Sequence, residues 1–299
     1  MEGITDPAGR ATSREISSQP DIWGRVLAET GATLPLLPKR GESVLFLGCG
    51  TSYYIGEAYA RMRNAAGAGR TRCAIASEVP YVDHDEVIVA LSRSGTTTDL
   101  VRAVKELAGS HRVIGILGEG GTPLVRHCDD VVLLDYADEE SIIQTRFATA
   151  ALTLLRASVG DAVEHLPSHA RAALKRELPD RPPSHVVFLG SGWTFGVAHE
   201  AALKCEEASG IWTEAYAIME YQHGPLAAAD SDTLVWSMTP VPPAVAEAVR
   251  GTGATLIEPT LDPQAELVAV HRLAVQLAAI AGRDPDHPWH LSRSVELTT

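Results

Sequence analysis

The sequence predicts an α/β protein built from two doubly wound parallel-sheet domains in tandem. Three observations carry that prediction. Short apolar runs of strand length recur along the chain, each leading through a glycine- or hydroxyl-rich turn into a segment with helical spacing. The connections are short, as in parallel sheets with helices wound on both faces. The pattern then starts over: residues 45–50 (LFLGCG) are echoed by 185–192 (HVVFLGSG), with Phe46 and Phe188 lying 142 residues apart. Self-similarity at that scale predicts two copies of one unit rather than a solenoid.

Residues 1–29 read as an N-terminal arm and helix. Positions 1–20 are polar and punctuated by proline and glycine, whereas 21–29 has the spacing of a short amphipathic helix with Trp23 and Val26 inward. Pro35, Pro38 and Gly41 break the chain at the start of the first domain, assigned to 30–165. Ser43–Gly48 reads as a buried strand ending in a loop at 49–52, followed by a helix over 54–62 and a short strand over 73–77. Val87, Ile88, Val89, Ala90 and Leu91 form an apolar run of the kind buried on both faces. Leu100, Val101, Val104 and Leu107 then recur at helical spacing. Strands at Val113–Leu117 and 131–134 and a longer helix over 139–157 complete the domain.

Residues 166–183 are charged and proline-containing and read as a linker, which leaves 184–299 as the second domain with a C-terminal tail. Thr213 and Glu214 echo Ser77 and Glu78, and 233–238 echoes the apolar run at 87–91. One difference stands out. The first copy follows its run with Ser92, Ser94, Gly95, Thr96, Thr97 and Thr98; the second follows with Thr239-Pro240-Val241-Pro242-Pro243.

The hydroxyl-rich loop is the main chemical signal. A strand feeding a helix through such a loop makes a concave anion site, because the first helical turn leaves N–H groups unpaired, the helix dipole adds partial positive charge, and the hydroxyls donate hydrogen bonds. A capped helix with no ligand is the alternative reading of the same residues. No Gly-Lys-Ser/Thr follows, so the loop is not a nucleotide P-loop.

Composition narrows the field. Hydrophobic residues make up 45% and charged residues 21%, the balance of a soluble globular protein. No apolar run approaches the ~20 residues of a membrane span, and the N-terminus lacks the apolar core of a secretory signal. A formal net charge of −13 argues against a nucleic-acid partner. Cys49, Cys73, Cys128 and Cys205 show no C-x-x-C spacing, so no zinc site or disulfide framework is expected. A cytoplasmic protein with no metal and no organic cofactor is the expectation.

Several separated motifs resemble the family built from tandem sugar-isomerase (SIS) domains, of flavodoxin-like fold. Within it, they resemble the isomerase half of glutamine–fructose-6-phosphate aminotransferase. They are Arg14-Glu15-Ile16 with Gln19-Pro20; Cys49-Gly50-Thr51-Ser52; Ser77-Glu78; Ser92-Arg93-Ser94-Gly95 with Thr97; and the segment 201–228, which holds the Lys-x-x-Glu, Glu-Ala-Tyr and His-Gly-Pro pieces in family order. The tail segments 284–288 and 291–295 match as well. The resemblance implies that Thr51, Ser52, Ser92, Ser94 and Thr97 hold a sugar phosphate, with Arg93 as a further contact to the phosphate or a residue turned to solvent. It implies that Glu207 moves a proton between C1 and C2, that His223 opens the sugar ring from across a dimer interface, and that Lys204 and Glu200 are further polar site residues. Spacing alone reads Lys204 and Glu207 as a surface pair and His223 as a turn residue. The chemistry suits the residue types: one carboxylate can carry a proton along an enediol edge, and an imidazole can both give and take a proton near neutral pH.

Three departures qualify the resemblance. No cysteine follows Met1 and no glutaminase region precedes the first domain, so glutamine-fed amino transfer is not expected. Arg293 stands where the aminotransferase has its Schiff-base lysine, and a guanidinium stays protonated and forms no imine. Residues Glu140-Ser141 with Gln144-Thr145-Arg146-Phe147 resemble the amino-sugar deaminase/isomerase branch instead. The expected function is therefore a phosphosugar isomerase, homodimeric with a shared active site, that also deaminates an amino-sugar phosphate. The alternatives are a non-catalytic sugar-phosphate-binding regulator and an isomerase or lyase of an unphosphorylated or otherwise acidic sugar.

Overall fold

Strand β1 (Ser43–Gly48) is an interior strand of the first sheet, where alternate side chains face two different cores. Val44 and Phe46 turn towards the centre of the molecule, Leu45 and Leu47 towards an outer helix layer. The structure, a computed structural model, describes residues 8–297. Along the chain run α1 (Arg10–Ala28), α2 (Thr30–Thr33), β1, α3 (Thr51–Ala65), β2 (Thr71–Ile75), β3 (Glu86–Ser92), α4 (Thr98–Leu107), β4 (Val113–Leu117), β5 (Asp130–Leu133), α5 (Arg146–Ser158) and α6 (Leu166–Ala173). There follow β6 (His185–Gly190), α7 (Thr194–Ser209), β7 (Trp212–Ala217), β8 (Thr233–Ser237), α8 (Pro243–Gly251), β9 (Thr255–Ile257) and α9 (Pro263–Ile280).

All pairings are parallel, in the order β2-β1-β3-β4-β5 in one sheet and β7-β6-β8-β9 in the other. Offsetting the numbering by the sequence repeat superposes the two orders: β6 takes the place of β1, β7 of β2, β8 of β3 and β9 of β4. The turns after β1 and β6 repeat as well. Gly50 and Gly192 hold φ of 52° and 55°, a left-handed backbone that a residue with a Cβ adopts only under strain.

The two halves are not separate bodies on a linker. One hydrophobic core holds Phe46 and Val89 of the first sheet, Phe188 and Trp236 of the second, and buried residues of α1, α3, α5, α7 and α9 between them. The expectation of two independent domains in tandem is corrected accordingly: two parallel sheets sandwich a shared helical centre. The segment 166–183 is not a simple linker either. It begins with α6, whose Leu166, Ala170 and Ala173 are buried at helical spacing; Pro167 sits in the first turn, where a missing N–H costs nothing.

The N-terminal arm is corrected in the same way. Residues 10–28 form one helix whose inward stripe includes Thr12, Glu15 and Gln19 as well as Ile16, Trp23 and Val26. Those polar positions are buried because each finds a partner: Thr12 on Asp286, Glu15 on Ser141, and Gln19 on His271 and Thr149. Residues 1–7 of the expected arm lie outside the described residues. The helix expected over 139–157 starts only at Arg146, because the carboxylate of Glu139 accepts the N–H groups of Thr145 (2.6 Å) and Arg146 (2.8 Å) and so caps the first turn from a loop. Among the described residues no helix is long and apolar enough to cross a membrane.

Candidate functional site

The sheet order places a crevice where β1 and β3 meet at their C-terminal ends, since their following helices leave on opposite faces. A cavity of about 230 Å³ opens there. Its floor comes from Cys49, Gly50 and Thr51 after β1 and Thr97 after β3; one wall is Ile142, Ile143 and Gln144, another Lys204 and Glu207 of α7, and the cover is the tail from His290 to Val295. A larger groove of about 390 Å³ beside α1, α6 and α9 offers Arg272 as its only ionisable lining residue. The smaller cavity, at the switch point and lined by both acid and base, is the better candidate.

Helix α7 supplies the charged wall. Glu200, Lys204 and Glu207 fall at positions i, i+4 and i+7, hence on one face. The ammonium of Lys204 donates to Thr51 Oγ1 at 2.8 Å, contacts the Glu207 carboxylate, and lies 3.6 Å from Glu200. Burial opposes the charge on Lys204, but Glu200 and Glu207 outweigh it and hold the ammonium above its ordinary pKa. Glu200 is wholly buried and neither of its oxygens accepts a hydrogen bond. Burial pushes its pKa up to about 8, Lys204 opposing, so Glu200 holds a proton at neutral pH. Glu207 is the more open carboxylate, its side chain 21% exposed into the cavity.

The hydroxyl loop is ordered by its own contacts and by the tail. Ser92 Oγ accepts the N–H of Gly95 at 2.9 Å, and Ser94 Oγ accepts that of Thr96 at 3.3 Å. The hydroxyls of Ser94, Thr96 and Thr97 converge on Ser294 Oγ at 3.2, 2.9 and 3.3 Å. Beyond Ser294, Thr98 N–H donates to Val295 O at 3.1 Å and Leu297 N–H to Thr98 Oγ1 at 2.9 Å, so the tail runs extended along the first turn of α4. Arg293 lines the cavity and donates twice to Asp138, at 2.6 and 2.8 Å.

The structure thus brings Thr51, Thr97, Lys204, Glu207 and Arg293 together around one cavity. Ser52, Ser92 and Ser94 are buried at its edge without lining it, and Glu200 lies behind Lys204. Arg93 does not reach the cavity or the solvent: its side chain is 1% exposed and bonded to backbone carbonyls. His223 is exposed at the end of a short 3-10 turn (Glu220–Gln222) and does not line this cavity. Sequence reasoning missed Ser294, His290 and Gln144. His290 alone among the described non-glycine residues holds a positive φ, 63°; the tail motif was legible, but no periodicity marks which of its residues face inward.

Residues 37–159, which span the first sheet, match the family model of the SIS domain. The chain is 29% identical over 355 aligned residues to the Escherichia coli K12 glutamine–fructose-6-phosphate aminotransferase [isomerizing], covering 94% of this chain and 58% of that protein. The chain therefore spans little more than half the length of that relative. Among solved structures, glucosamine-6-phosphate deaminase from Thermotoga maritima superposes with a TM-score of 0.82 at 28% identity, over 96% of this chain and all of the other. Tagatose-6-phosphate ketose/aldose isomerase from Escherichia coli, at 20% identity and a TM-score of 0.74, shares the fold over 94% of this chain and 98% of its own.

Proposed function

We propose that this chain is a phosphosugar isomerase that interconverts an aldose and a ketose 6-phosphate, and that it releases ammonia when the substrate carries an amine at C2. The observation that carries this reading is a carboxylate, Glu207, sharing one small cavity with the anion-loop residues Thr51 and Thr97. In the proposed mechanism Thr51 and Thr97 hold the phosphate with the amides of α4, and the hydroxyls of Ser92 and Ser94 order the loop behind them. Glu207 takes the proton from one carbon of the C1–C2 pair and returns it to the other through an enediol. Lys204, fixed by Thr51, holds the Glu207 carboxylate in place.

For a 2-amino aldose phosphate the same proton shift gives an enolamine and then a C2 imine. Water adds to C2 and ammonia leaves, with no oxidant or reductant required. Arg293 stays charged against Asp138 and forms no imine, which favours this non-covalent course. The exposure of His223 outside its own cavity fits a role in ring opening within the cavity of a second copy, and hence a homodimer with a shared site. The matching strand orders and the sequence repeat favour reading the second sheet as a diverged SIS copy.

The test is incubation of the protein with aldose, ketose and amino-sugar 6-phosphates in deuterated water, following label at C1 and C2 and ammonia release. Label with any of them supports the reading. A folded protein that binds sugar phosphate tightly, exchanges nothing and is indifferent to Glu207→Gln is a regulator instead.

A further inference from the structure

Arg93 follows β3 directly and its guanidinium is buried beside the cavity without lining it. Nη1 donates to Ser141 O at 2.9 Å, and Nη2 to Ile142 O at 2.9 Å and to Arg293 O at 3.3 Å. Glu139 lies 3.8 Å away as the buried counter-charge. Burial lowers the Arg93 pKa, with Glu139 opposing. The same stretch of chain receives its other bonds from elsewhere: the N–H of Glu140 and the hydroxyl of Ser141 donate to Glu15 of α1. The carbonyls of 141 and 142 thus depend on Arg93. Gly118 leaves the passage open, since a Cβ there would stand 2.9 Å from Arg93 O and 3.2 Å from Arg93 Cγ.

We propose that Arg93 is a positioning residue that ties two separate covers of the cavity, the loop at 141–144 and the C-terminal tail, to the end of β3. The fork of a guanidinium spans three carbonyls from two chain segments; an ammonium or an amide cannot. By holding Arg293 O, Arg93 sets the direction of the next two residues. Ser294 then reaches Ser94, Thr96 and Thr97, and Val295 O meets the N–H of Thr98. The Arg293 side chain secures the tail a second time, on Asp138. Arg93 therefore acts on bound substrate through the tail and not by touching the anion. What fills the cavity rests on the proposed function; the clamp itself does not.

The experiment measures amide hydrogen exchange at Thr98 and Leu297, whose N–H groups bond between tail and α4, together with the Kd for inorganic phosphate and the KM for whichever sugar phosphate is turned over. Arg93→Gln is expected to speed exchange at both amides by about tenfold or more, as loss of charge-assisted bonds implies. KM is expected to rise by a similar factor while the phosphate Kd stays within about twofold. Unchanged exchange with phosphate binding weakened about tenfold would make Arg93 an anion ligand and overturn the proposal. Should Arg93→Gln not fold, Arg93→Lys keeps the charge opposite Glu139 but cannot span the three carbonyls, so it must loosen the same amides. Wild-type exchange in that variant sinks the clamp. The exchange readout needs no turnover, so failure of the isomerase reading and failure of the clamp are separately visible.

Discussion

The loops after β3 and β8 occupy the same place in their sheets, and only the first is rich in hydroxyls and backbone donors. Both strands are buried along their whole length, and both loops lead into a helix. Thr97, before α4, has φ −54° and ψ 117°; Pro242, before α8, has φ −59° and ψ 140°. The backbone course is thus shared. The donors are not. Pro240, Pro242 and Pro243 remove three N–H groups from the second loop, and the hydroxyl of Ser237 is spent on Thr239 O at 2.6 Å. A shared strand order needs only buried apolar runs, whereas a donor-rich loop needs specific groups that a few prolines erase.

The sharpest way to break this comparison is at the charged wall, which the second half contributes. Glu207→Gln should cost about 10²–10⁴ in kcat, the range for a positioned general base, while sugar-phosphate affinity measured by calorimetry is retained. Equal loss of binding and turnover would move Glu207 from proton carrier to phosphate-side contact. Next, the first loop can be given the second loop's chemistry. Thr98→Pro places proline at the first position of α4, after a residue already in the extended conformation that proline demands, and deletes the N–H bonded to Val295 O. Thermal unfolding should change little, and phosphate affinity should fall about three- to tenfold because one of the α4 amide donors proposed to hold the anion is gone.

A smaller effect is expected from pH. Glu200, with a native pKa of about 8, keeps a proton that the unfolded chain releases above about 4.5. The native state therefore binds more protons through that window, and stability falls as pH rises from 4.5 towards 8. His271 acts in the opposite sense: burial lowers it from 6.5 to about 3, so stability falls as pH drops through that range. Urea titrations across pH should lose the fall in stability between pH 4.5 and 8 in Glu200→Gln and keep the fall on acidification below 6.5. The smallest change of all is Pro242→Ser. Restoring one hydroxyl and one N–H to the second loop should leave phosphate binding within error, because among the described residues no tail segment hydrogen-bonds to it. Measurable new binding would mean that proline content alone separates the two loops.

Much of this was legible in the sequence where burial is two-sided. β1, β3, β4, β6 and β8 are apolar runs closed by glycine or hydroxyl residues, and their positions follow from that pattern. Helix α1 was half hidden because Thr12, Glu15 and Gln19 face inward, satisfied by residues more than a hundred positions away. Arg93 shows the same limit. Its place between two serines suggested an anion contact, yet its acceptors are carbonyls of Ser141, Ile142 and Arg293, invisible until the chain has closed on itself. Sequence pattern reports burial well and partnership poorly.

The shared centre between the sheets has a consequence for how the molecule comes apart. Phe46 and Phe188 belong to one hydrophobic cluster, with α3 and α7 packed between them. Neither half can lose its order without stripping apolar surface from the other. Heating should therefore give one cooperative calorimetric transition whose van't Hoff and calorimetric enthalpies agree, and a chain cut between α6 and β6 should yield two fragments that are stable only in each other's company.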